Sequence, residues 1–419
     1  MKSKLPYYLL LLTFTLIISP LFAASCDDEL FKVLVNLEQP KTFARLQSYS
    51  GNWTVILADP VEKLRDKEQN KELSRSVSMT LGETQDVLIT LSQKGLAFRA
   101  GNMPESPFEY KRIIFKGGDL ISVTFPPSAP MLFEGELSFT KDADNFSIRL
   151  INQLPLNRLL AAVASQEAFS NNSQAVKAHI IALRTKLLYF KRNSLHKAEG
   201  VDICNQRHCV KYQGIGSNKT LPEILVKHTA NKVLTYKNQI ILPRYHHTCG
   251  GKISSSESVY GIKEPYHIAQ ADVYRHGEAE NCMHSPSFRW LIEINKSELE
   301  TFLSLSYASG ASYLYTSWKP EQINNEERIT SVKISGKSSK IISGIEFLKK
   351  LQKFFGSKSF KSARFKEEVM SRTLQYTGKG EGDGVGMCLY GADGLAKKGK
   401  TTIEILNFYY PGTEVKTNY

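Results

Sequence analysis

The chain of 419 residues is 42% hydrophobic and 23% charged, a composition ordinary for a soluble globular protein with a substantial core and two or three domains. Its formal net charge of +13 favours a polyanionic partner: nucleic acid, an anionic membrane surface or an anionic cell-wall polymer. Charge alone excludes none of the three.

The N-terminus has the features of an export signal. Met1–Lys4 is positively charged, Leu9–Ala24 is apolar and ends in small residues, and acids occupy Asp27–Glu29. This pattern is typical of a cleaved signal over residues 1–25 rather than of a permanent transmembrane helix. We therefore expect a periplasmic or cell-envelope protein, with no nucleic-acid role and no integral membrane span after signal cleavage.

Cys26 is a candidate lipid anchor. Ala23-Ala24-Ser25-Cys26 loosely matches a bacterial lipoprotein box, although it lacks the usual large aliphatic residue three positions before the cysteine. The chain has six cysteines, which permits three disulfides in an exported protein. Lipidation of Cys26 would leave five, so that one would stay free or bind metal.

The expected fold class is α+β, with a β-rich N-terminal part followed by a mixed helical and β domain. Residues 26–75 form a segment of uncertain structure, in which Glu29–Leu46 has helical spacing interrupted by Pro40. Short alternating runs separated by Gly, Pro and Asp turns predict a β-rich domain over residues 76–153. The remaining residues, 154–419, form the mixed domain.

Pro155–Phe190 is predicted to form two helices joined by the polar break Ser170–Ser173. Glu167 falls at the end of the first helix, where the helix dipole opposes ionisation and so suits a protonated acid catalyst. The alternative is a solvated Glu in a loop. The second helix presents an apolar stripe of Val176, Ile180, Leu183, Leu187 and Phe190.

Two cysteines follow the helices. Cys204 and Cys209 enclose His208, and His196 lies upstream. Such ligands would suit zinc, but the spacing is not that of a zinc knuckle. A disulfide closing a short loop and a pair of free buried thiols remain the alternatives.

A predicted hairpin at Leu225–Leu242 leads into Tyr245–Gly251, which contains two histidines, a thiol and two glycines. Adjacent residues of a strand face opposite sides, so only one of His246 and His247 can enter a given pocket. A buried structural His is the alternative. The glycines Gly250 and Gly251 allow close approach of a ligand.

Arg328–Arg372 is predicted as strand, helix and strand, with an amphipathic helix at Gly344–Phe355. Lysines around it form either a solvated face or a binding surface for an anionic polymer. Gly378–Cys388 then has five glycines at alternate positions, which indicates either a backbone that another group approaches closely or a flexible loop. The spacing is not that of a nucleotide-binding P-loop.

Four blocks of the sequence together carry a family resemblance. They run in family order from about residue 154 to the C-terminus, and they are VASQEA with AVKAHIIALRTKL, HKAEGVDICNQRHCVKY, YHHTCGGKISSSESVYGIKEPY, and GKGEGDGVGMCLYGADGLAKKG with EILNFYYPGT. On these blocks the chain resembles the SpoIID/LytB family of bacterial peptidoglycan enzymes, which includes sporulation stage II protein D and amidase enhancers.

The resemblance implies a lytic transglycosylase that cleaves MurNAc–GlcNAc bonds of glycan strands to 1,6-anhydromuramoyl products, with a single carboxylic acid as acid and base. It implies no required cofactor, but a possible structural zinc ion at His196, Cys204 and Cys209. The candidate substrate-binding residues are Lys177, Arg184, Tyr245, His246, Gly250, Gly251, Gly384 and Gly386.

The sequence departs from the family pattern at two positions. The family's catalytic Glu lies eleven residues before the position of Lys177, which is Gln166 here, and Glu167 is one residue further. Asp383 stands where the glycine-rich motif usually has His. Either the activity is weakened or lost, or Glu167 and Asp383 act together as a reassigned pair.

Two other functions remain open. The first is a non-catalytic peptidoglycan-binding protein that stimulates another wall hydrolase. The second is a hydrolase of different bond specificity, such as an amidase with a His/Cys-bound zinc ion.

Overall fold

The computed structural model describes residues 25–417 apart from 36, 38, 62–63, 66–71, 74–75, 84, 107, 145, 207, 217–218, 276, 308–314 and 357–358. The predicted export signal lies outside the described residues except for Ser25. Within the described part of the chain, no helix combines the length and the apolar character needed to cross a membrane.

The N-terminal part is built on a 12-stranded sheet, which confirms the β-rich prediction. Its strand order is β11-β10-β2-β7-β8-β9-β12-β13-β1-β14, with β3 pairing β6 and β9, while β4 and β5 pair only with each other. The strands are β1 (Leu30–Val35), β2 (Phe43–Ser50), β3 (Trp53–Pro60), β4 (Leu64–Arg65), β5 (Glu72–Leu73), β6 (Val77–Leu81), β7 (Asp86–Leu91), β8 (Leu96–Ala100), β9 (Tyr110–Lys116), β10 (Leu120–Thr124), β11 (Met131–Phe133), β12 (Glu136–Lys141), β13 (Ile148–Pro155) and, beyond two helices, β14 (Ile203–Cys204).

Glu29–Leu46 forms strands rather than a helix, despite its helical spacing. Phe31, Val33 and Val35 are buried at every second position of β1, which pairs with both β13 and β14. Burial with period two is that of a strand, and this strand lies between two partners. The sheet therefore begins well before residue 76 and includes strands from the segment predicted to be of uncertain structure.

The helix pair is confirmed as α1 (Leu156–Gln166) and α2 (Ser173–Arg192). α1 follows β13 directly, because Pro155 is both the last residue of the strand and the N-cap of the helix. The α2 N-cap is Asn172, whose side chain accepts a hydrogen bond from the Gln174 amide at 3.0 Å.

α2 lies between two hydrophobic clusters. The predicted stripe packs into the cluster beneath the large sheet, whereas Ala175, Ala178, Ile181 and Ala182 pack into a second cluster formed by the C-terminal elements. The small residues on this second face allow the C-terminal elements to approach the helix closely. The helix is therefore surrounded by protein along most of its length.

The predicted hairpin at Leu225–Leu242 is wrong in its first half. α3 (Thr220–His228) precedes β15 (Val233–Tyr236) and β16 (Gln239–Ile240). Leu225 and Val226 are buried against the first cluster on one face of α3. The first turn of this helix lies before the segment that was read as a strand, which is why the helical period was missed.

The chain then continues through short elements that surround α2 and an inserted unit with its own core. The strand–helix–strand prediction for Arg328–Arg372 is confirmed within that unit, whose two three-stranded sheets and two helices enclose a separate hydrophobic cluster. The elements are β17 (Tyr245–His246), β18 (Lys252–Ile253), α4 (Ser256–Tyr260), β19 (Gln270–Ala271), β20 (Arg289–Asn295), α5 (Lys296–Tyr307), β21 (Tyr315–Ile323), β22 (Ile329–Gly336), β23 (Ser339–Ser343), α6 (Gly344–Phe355), β24 (Phe365–Val369), β25 (Thr373–Lys379), β26 (Met387–Cys388), α7 (Leu389–Lys397), α8 (Thr402–Tyr409) and β27 (Glu414–Lys416).

A buried ion pair attaches the start of the described chain to α2. Arg184 is fully buried, and its Nε and Nη2 atoms lie 2.6 and 3.3 Å from the two carboxylate oxygens of Asp27. Its guanidinium also donates to the Val226 and Lys232 carbonyl oxygens. Because Cys26 immediately precedes Asp27, this pair fixes the position of the candidate lipid anchor, whose half-buried thiol donates to Asn231 Oδ1 at 3.4 Å.

We expect Arg184→Met to lower the free energy of unfolding by about 3–5 kcal/mol, because it leaves the Asp27 carboxylate buried without its partner. Urea denaturation of the mature chain measures the change. Asp28→Asn is the matched control, since this neighbouring acid is exposed and should cost less than about 0.5 kcal/mol. Equal losses in the two variants would contradict a stabilising role for the buried pair.

Candidate functional site

The candidate site is centred on Glu167, the C-cap residue of α1. Its Oε2 atom accepts hydrogen bonds from His179 Nε2 and from Tyr245 Oη, each at 3.0 Å. The side chain of Glu167 is 16% exposed, and no described residue donates a hydrogen bond to Oε1. One carboxylate oxygen is thus held by the protein, while the other is available to a ligand.

The surroundings of Glu167 favour its ionised form. Burial raises the pKa of this carboxyl group, but the hydrogen bond and charge of His179 and the charge of Lys186 act in the opposite direction. The hydrogen bond from Tyr245 adds to them, and the net pKa lies below the ordinary value. The sequence-based expectation that the helix dipole keeps Glu167 protonated is therefore wrong for the unliganded protein.

Tyr245 and Lys186 form the wall beside Glu167. The ammonium of Lys186 lies 4.8 Å from the centre of the Tyr245 ring. Burial lowers the pKa of Lys186, while the charges of Glu167 and Asp383 partly restore it. Burial and the charge of Glu167 raise the pKa of Tyr245 well above its usual value, so its hydroxyl is a neutral donor.

Gln166 does not share this environment. Its Nε2 donates to the Gly214 carbonyl oxygen at 2.6 Å, and its Oε1 accepts from the Gln213 amide at 3.0 Å. Both polar ends of the side chain are occupied by the backbone of one loop. Of the two adjacent candidates, Glu167 is the one placed beside Tyr245.

Asp383 and His246 lie in a neighbouring group. Asp383 accepts hydrogen bonds from the Tyr260 hydroxyl and from the Val385 amide. Its pairing with Glu167 stays a prediction. His246 donates through Nδ1 to the Val385 carbonyl oxygen at 3.0 Å, and burial lowers its pKa to about 4. Its side chain is only 1% exposed, which argues for the structural alternative over substrate contact.

The predicted substrate-binding glycines Gly250 and Gly251 face the protein itself. Both have positive φ angles, 72° and 98°. A Cβ atom on Gly250 would lie 2.9 Å from Lys379 Cβ, and one on Gly251 would lie 2.9 Å from the Glu280 side chain. The group that approaches this turn is therefore another part of the chain.

Gly384 and Gly386 are similar. A Cβ atom at Gly384 would lie 2.2 Å from the Arg328 guanidinium, and one at Gly386 would lie 2.0 Å from the Arg244 carbonyl oxygen. The alternating glycines thus allow the segment to pack against its neighbours. The prediction of a closely approached backbone was right, but the structure assigns the approach to protein rather than to substrate.

Lys177 and Arg184 also lie away from Glu167. Lys177 precedes His179 by two residues, which places it about 200° round α2 from the residue that contacts Glu167. Arg184 is fully buried in its pair with Asp27, so direct substrate contact is replaced by a structural role.

A cleft of about 530 Å³ opens at the loop between α1 and α2. The first residue of its lining, Ala168, directly follows Glu167 in the sequence. Its polar wall includes a hydrogen bond of 2.7 Å between His284 Nε2 and Asp393 Oδ2. The cleft is lined by residues 168–172 and by His284, Tyr390, Asp393 and Lys397.

The structure also brings together His196, Cys204 and Cys209, as predicted, and adds His208. His196 Nε2 lies 3.1 Å from Cys209 Sγ, and His208 Nε2 lies 3.3 Å from Cys204 Sγ. One ligand atom from each of the four lies within 4.8 Å of every other. Two imidazole nitrogens and two sulfurs converging in this way match the donor set of a tetrahedral zinc site.

The electrostatics of this cluster favour one thiolate. The hydrogen bond with Cys209 lowers the pKa of Cys204 to about 6, and the same interaction raises the pKa of Cys209. Cys204 ends β14 at the edge of the large sheet, where it pairs with Leu34. The cluster thereby fixes the loop that continues to Gln213 and Gly214 beside α1.

Sequence reasoning missed His179 and Lys186. Both lie on α2, and a polar side chain within a helix rich in apolar residues was the available signal. The spacing of twelve residues between Glu167 and His179 does not by itself show that the loop turns back to bring them together. Lys186 was missed for the same reason, because its neighbour Tyr245 lies far along the chain and the sequence does not show that the two meet.

The comparisons with known proteins converge on one family. The family model described as stage II sporulation protein matches residues 144–236, a range that includes Glu167, His179, Lys186 and the His196 cluster. The chain is 26% identical over 286 residues to an uncharacterized protein of Brachyspira hyodysenteriae, an alignment that covers 68% of this chain and 72% of the relative.

Two Bacillus subtilis proteins are similar to the same extent. The amidase enhancer is 26% identical over 62% of this chain, but only 40% of that protein is covered. Stage II sporulation protein D is 25% identical, with 63% of this chain and 75% of the relative covered. Together with the family match over residues 144–236, these relatives show that the chain is similar to the SpoIID/LytB family.

Proposed function

We propose that the protein acts on the bacterial cell wall as a lytic transglycosylase of peptidoglycan glycan strands, with Glu167 as the acid and base. The observation that carries the proposal is the placement of Glu167, whose Oε2 is held by His179 and Tyr245. Its side chain is 16% exposed, and Oε1 accepts no hydrogen bond from a described residue. A catalytic carboxyl group needs this combination of a fixed orientation and access to substrate.

The reaction requires one carboxyl group in two roles. Protonated Glu167 gives its proton to the glycosidic oxygen as the bond to the muramoyl anomeric carbon breaks, and the GlcNAc-side fragment leaves with a free hydroxyl. The Glu167 carboxylate then takes the proton of the muramoyl 6-hydroxyl, whose oxygen closes on the anomeric carbon. The product is the 1,6-anhydro sugar, no water is consumed, and Glu167 is again protonated.

Substrate binding would supply the protonated form. Burial is the largest influence on the pKa of Glu167, and it acts upwards. A glycan strand that covers Oε1 removes water from the remaining exposed part of the carboxyl group and favours its neutral form further. The low pKa of the unliganded site is therefore compatible with an acid that is charged at rest and takes up a proton with the substrate.

The His196 cluster would hold a structural zinc ion in this proposal, through His196, Cys204, Cys209 and His208. Zinc there would fix the position of the loop that packs on α1.

The protein would act in the cell envelope after export, in line with the predicted N-terminal signal. Peptidoglycan is its partner, and other wall hydrolases are possible partners because one relative is an amidase enhancer.

We expect Glu167→Gln to lower the release of anhydromuramoyl products from denuded glycan strands by at least about 100-fold, since an amide cannot exchange the proton. Chromatography with mass detection measures the products. The double variant Gln166→Glu/Glu167→Gln is the matched control, because it returns a carboxylate to the position expected from the family. It should not recover activity, since residue 166 faces the Gly214 loop, and recovery would show that the acid belongs at 166.

A second prediction concerns pH. His179→Leu removes a hydrogen bond and a charge that both lower the pKa of Glu167, so this pKa should rise. The acid step needs protonated Glu167, and its rate falls as the pH rises through that pKa. The descending limb of kcat against pH should therefore move to higher pH in His179→Leu.

Purified protein assayed on glycan strands across a pH series provides the measurement. His228→Leu is the control, because this histidine is exposed at the end of α3 and should leave the profile unchanged. A limb that stays in place in His179→Leu, or moves to lower pH, would contradict the role of Glu167 as the acid.

The second candidate function is a non-catalytic glycan-binding protein that stimulates an amidase. The observation in its favour is the low pKa of Glu167 together with Gln166 at the family's catalytic position. In that case wild-type protein and Glu167→Gln should bind intact sacculi equally, and both should stimulate a purified cell-wall amidase. Anhydromuramoyl products from the wild type alone would exclude this function as the complete account.

A further inference from the structure

A second group of metal-ligand side chains lies away from the His196 cluster. Cys249, Asp272, Cys282 and Cys388 each place one ligand atom within 4.8 Å of all the others. All four side chains belong to residues with no exposed surface. They come from four separate segments, which meet only in the folded chain.

From this geometry we propose that these four residues form a second, structural zinc site. Three sulfurs and a carboxylate oxygen are a donor set that zinc accepts in tetrahedral geometry, and sulfurs bound to one zinc ion at about 2.3 Å lie about 3.8 Å apart. Cys249 Sγ and Cys282 Sγ are 3.4 Å apart. The number of thiols favours zinc over the oxygen-seeking cations magnesium and calcium.

Backbone amides already point at the sulfurs. The Cys249 amide donates to Cys388 Sγ at 3.2 Å, and the Gly391 amide donates to the same atom at 3.3 Å. The Gly251 amide donates to Cys249 Sγ at 3.3 Å. Such donors stabilise thiolates, and Cys388 is moreover the N-cap of α7, where the helix dipole acts in the same direction.

The carboxylate is oriented as a metal ligand should be. Asp272 Oδ1 accepts from the Tyr409 hydroxyl at 2.8 Å and from Asn281 Nδ2 at 3.1 Å, whereas Oδ2 faces Cys249 Sγ at 3.0 Å. Polar partners behind a ligand commonly fix its orientation in this manner. A Cβ atom on Gly391 would lie 2.5 Å from Asp272 Oδ2, so only glycine leaves room for this carboxylate.

A disulfide explains less of the arrangement. The 3.4 Å between Cys249 and Cys282 exceeds the length of an S–S bond, about 2.05 Å. A bond between them would leave the Cys388 thiol and the Asp272 carboxyl group buried side by side without a role. A zinc ion makes use of all four groups and offsets their negative charge.

The buried Arg328 fits a negatively charged cluster. Its Nη2 donates to the Cys249 carbonyl oxygen at 3.0 Å, but Nε and Nη1 have no hydrogen-bond partner among the described residues. A buried guanidinium is costly without an opposing charge. Three thiolates and a carboxylate around one divalent cation would supply a net negative charge beside it.

The site would join the two loops that flank the Glu167 region. Cys249 follows the strand that carries Tyr245, and Cys388 ends β26, which pairs with that strand through Tyr245–Met387 and His246–Cys388. Zinc would thereby hold the strand that donates the Tyr245 hydrogen bond. This proposal concerns metal content and stands independently of the transglycosylase activity.

The test is the zinc content of the purified full chain and of three variants, by elemental analysis after exchange into metal-free buffer. We expect two zinc ions in the wild type, one in Cys204→Ser, one in Cys282→Ser, and two in the control Cys26→Ser. Cobalt substitution of Cys204→Ser should give thiolate-to-cobalt absorption, which reports on the remaining site without a change to it.

A wild-type zinc content that Cys204→Ser removes completely would overturn the proposal, even where Cys282→Ser does not fold. An intact mass of the wild type lower by two hydrogens, with peptide mapping to Cys249 and Cys282, would also overturn it in favour of a disulfide. A failed transglycosylase assay leaves both measurements unaffected.

Discussion

A helix that is buried on nearly every side must find partners for its polar side chains within the protein, and α2 is such a helix. His179 donates to Glu167, Arg184 pairs with Asp27, and the Thr185 hydroxyl bonds to the Ile181 carbonyl oxygen and accepts from the Leu234 amide. An unpaired polar group in this position would cost roughly 1–3 kcal/mol, and a charged one more. The same requirement that stabilises the fold therefore also places a polar partner against the candidate catalytic carboxylate.

Close packing of the chain on itself explains the glycine-rich segment. Thr248 and Glu381 exchange backbone hydrogen bonds of 3.0 and 2.7 Å, and a Cβ atom on Gly380 would lie 2.6 Å from the Thr248 carbonyl oxygen. Only residues without a side chain permit this approach at positive φ. The motif thus holds β26 against β17, and its effect on the site is exerted through the position of Tyr245.

The sequence was sufficient for features that depend on local spacing. The apolar stripe of α2 predicted its buried face, and the family blocks indicated that His196, Cys204 and Cys209 meet. It was insufficient at β1, where apolar Leu30 and Leu34 occupy the less buried positions and mask the alternation. The strand character of β1 depends on pairing with β13 and β14. The Cys249 cluster was equally invisible, because its four ligands are distributed over about 140 residues and no short spacing relates them.

The helix end at Glu167 shows how competing electrostatic effects are decided by magnitude. At an exposed site, the negative end of a helix dipole typically disfavours a carboxylate by about 0.3–1 kcal/mol. A hydrogen bond to a charged group contributes about 1.5–3 kcal/mol, and Glu167 accepts two of them. The dipole was the only effect that the sequence displayed, whereas His179 and Tyr245 become neighbours of Glu167 only after folding.

Gln166 and Glu167, the two candidates for the family's catalytic position, lie on either side of the end of α1. α1 ends at Gln166, and Glu167 has φ −94° and ψ 23°. The direction of its side chain therefore does not follow the helical rotation of about 100° per residue. Gln166 stays within the helix and is occupied by the Gly214 loop. Glu167, one position later, lies outside the helix, where its carboxylate contacts His179 and Tyr245.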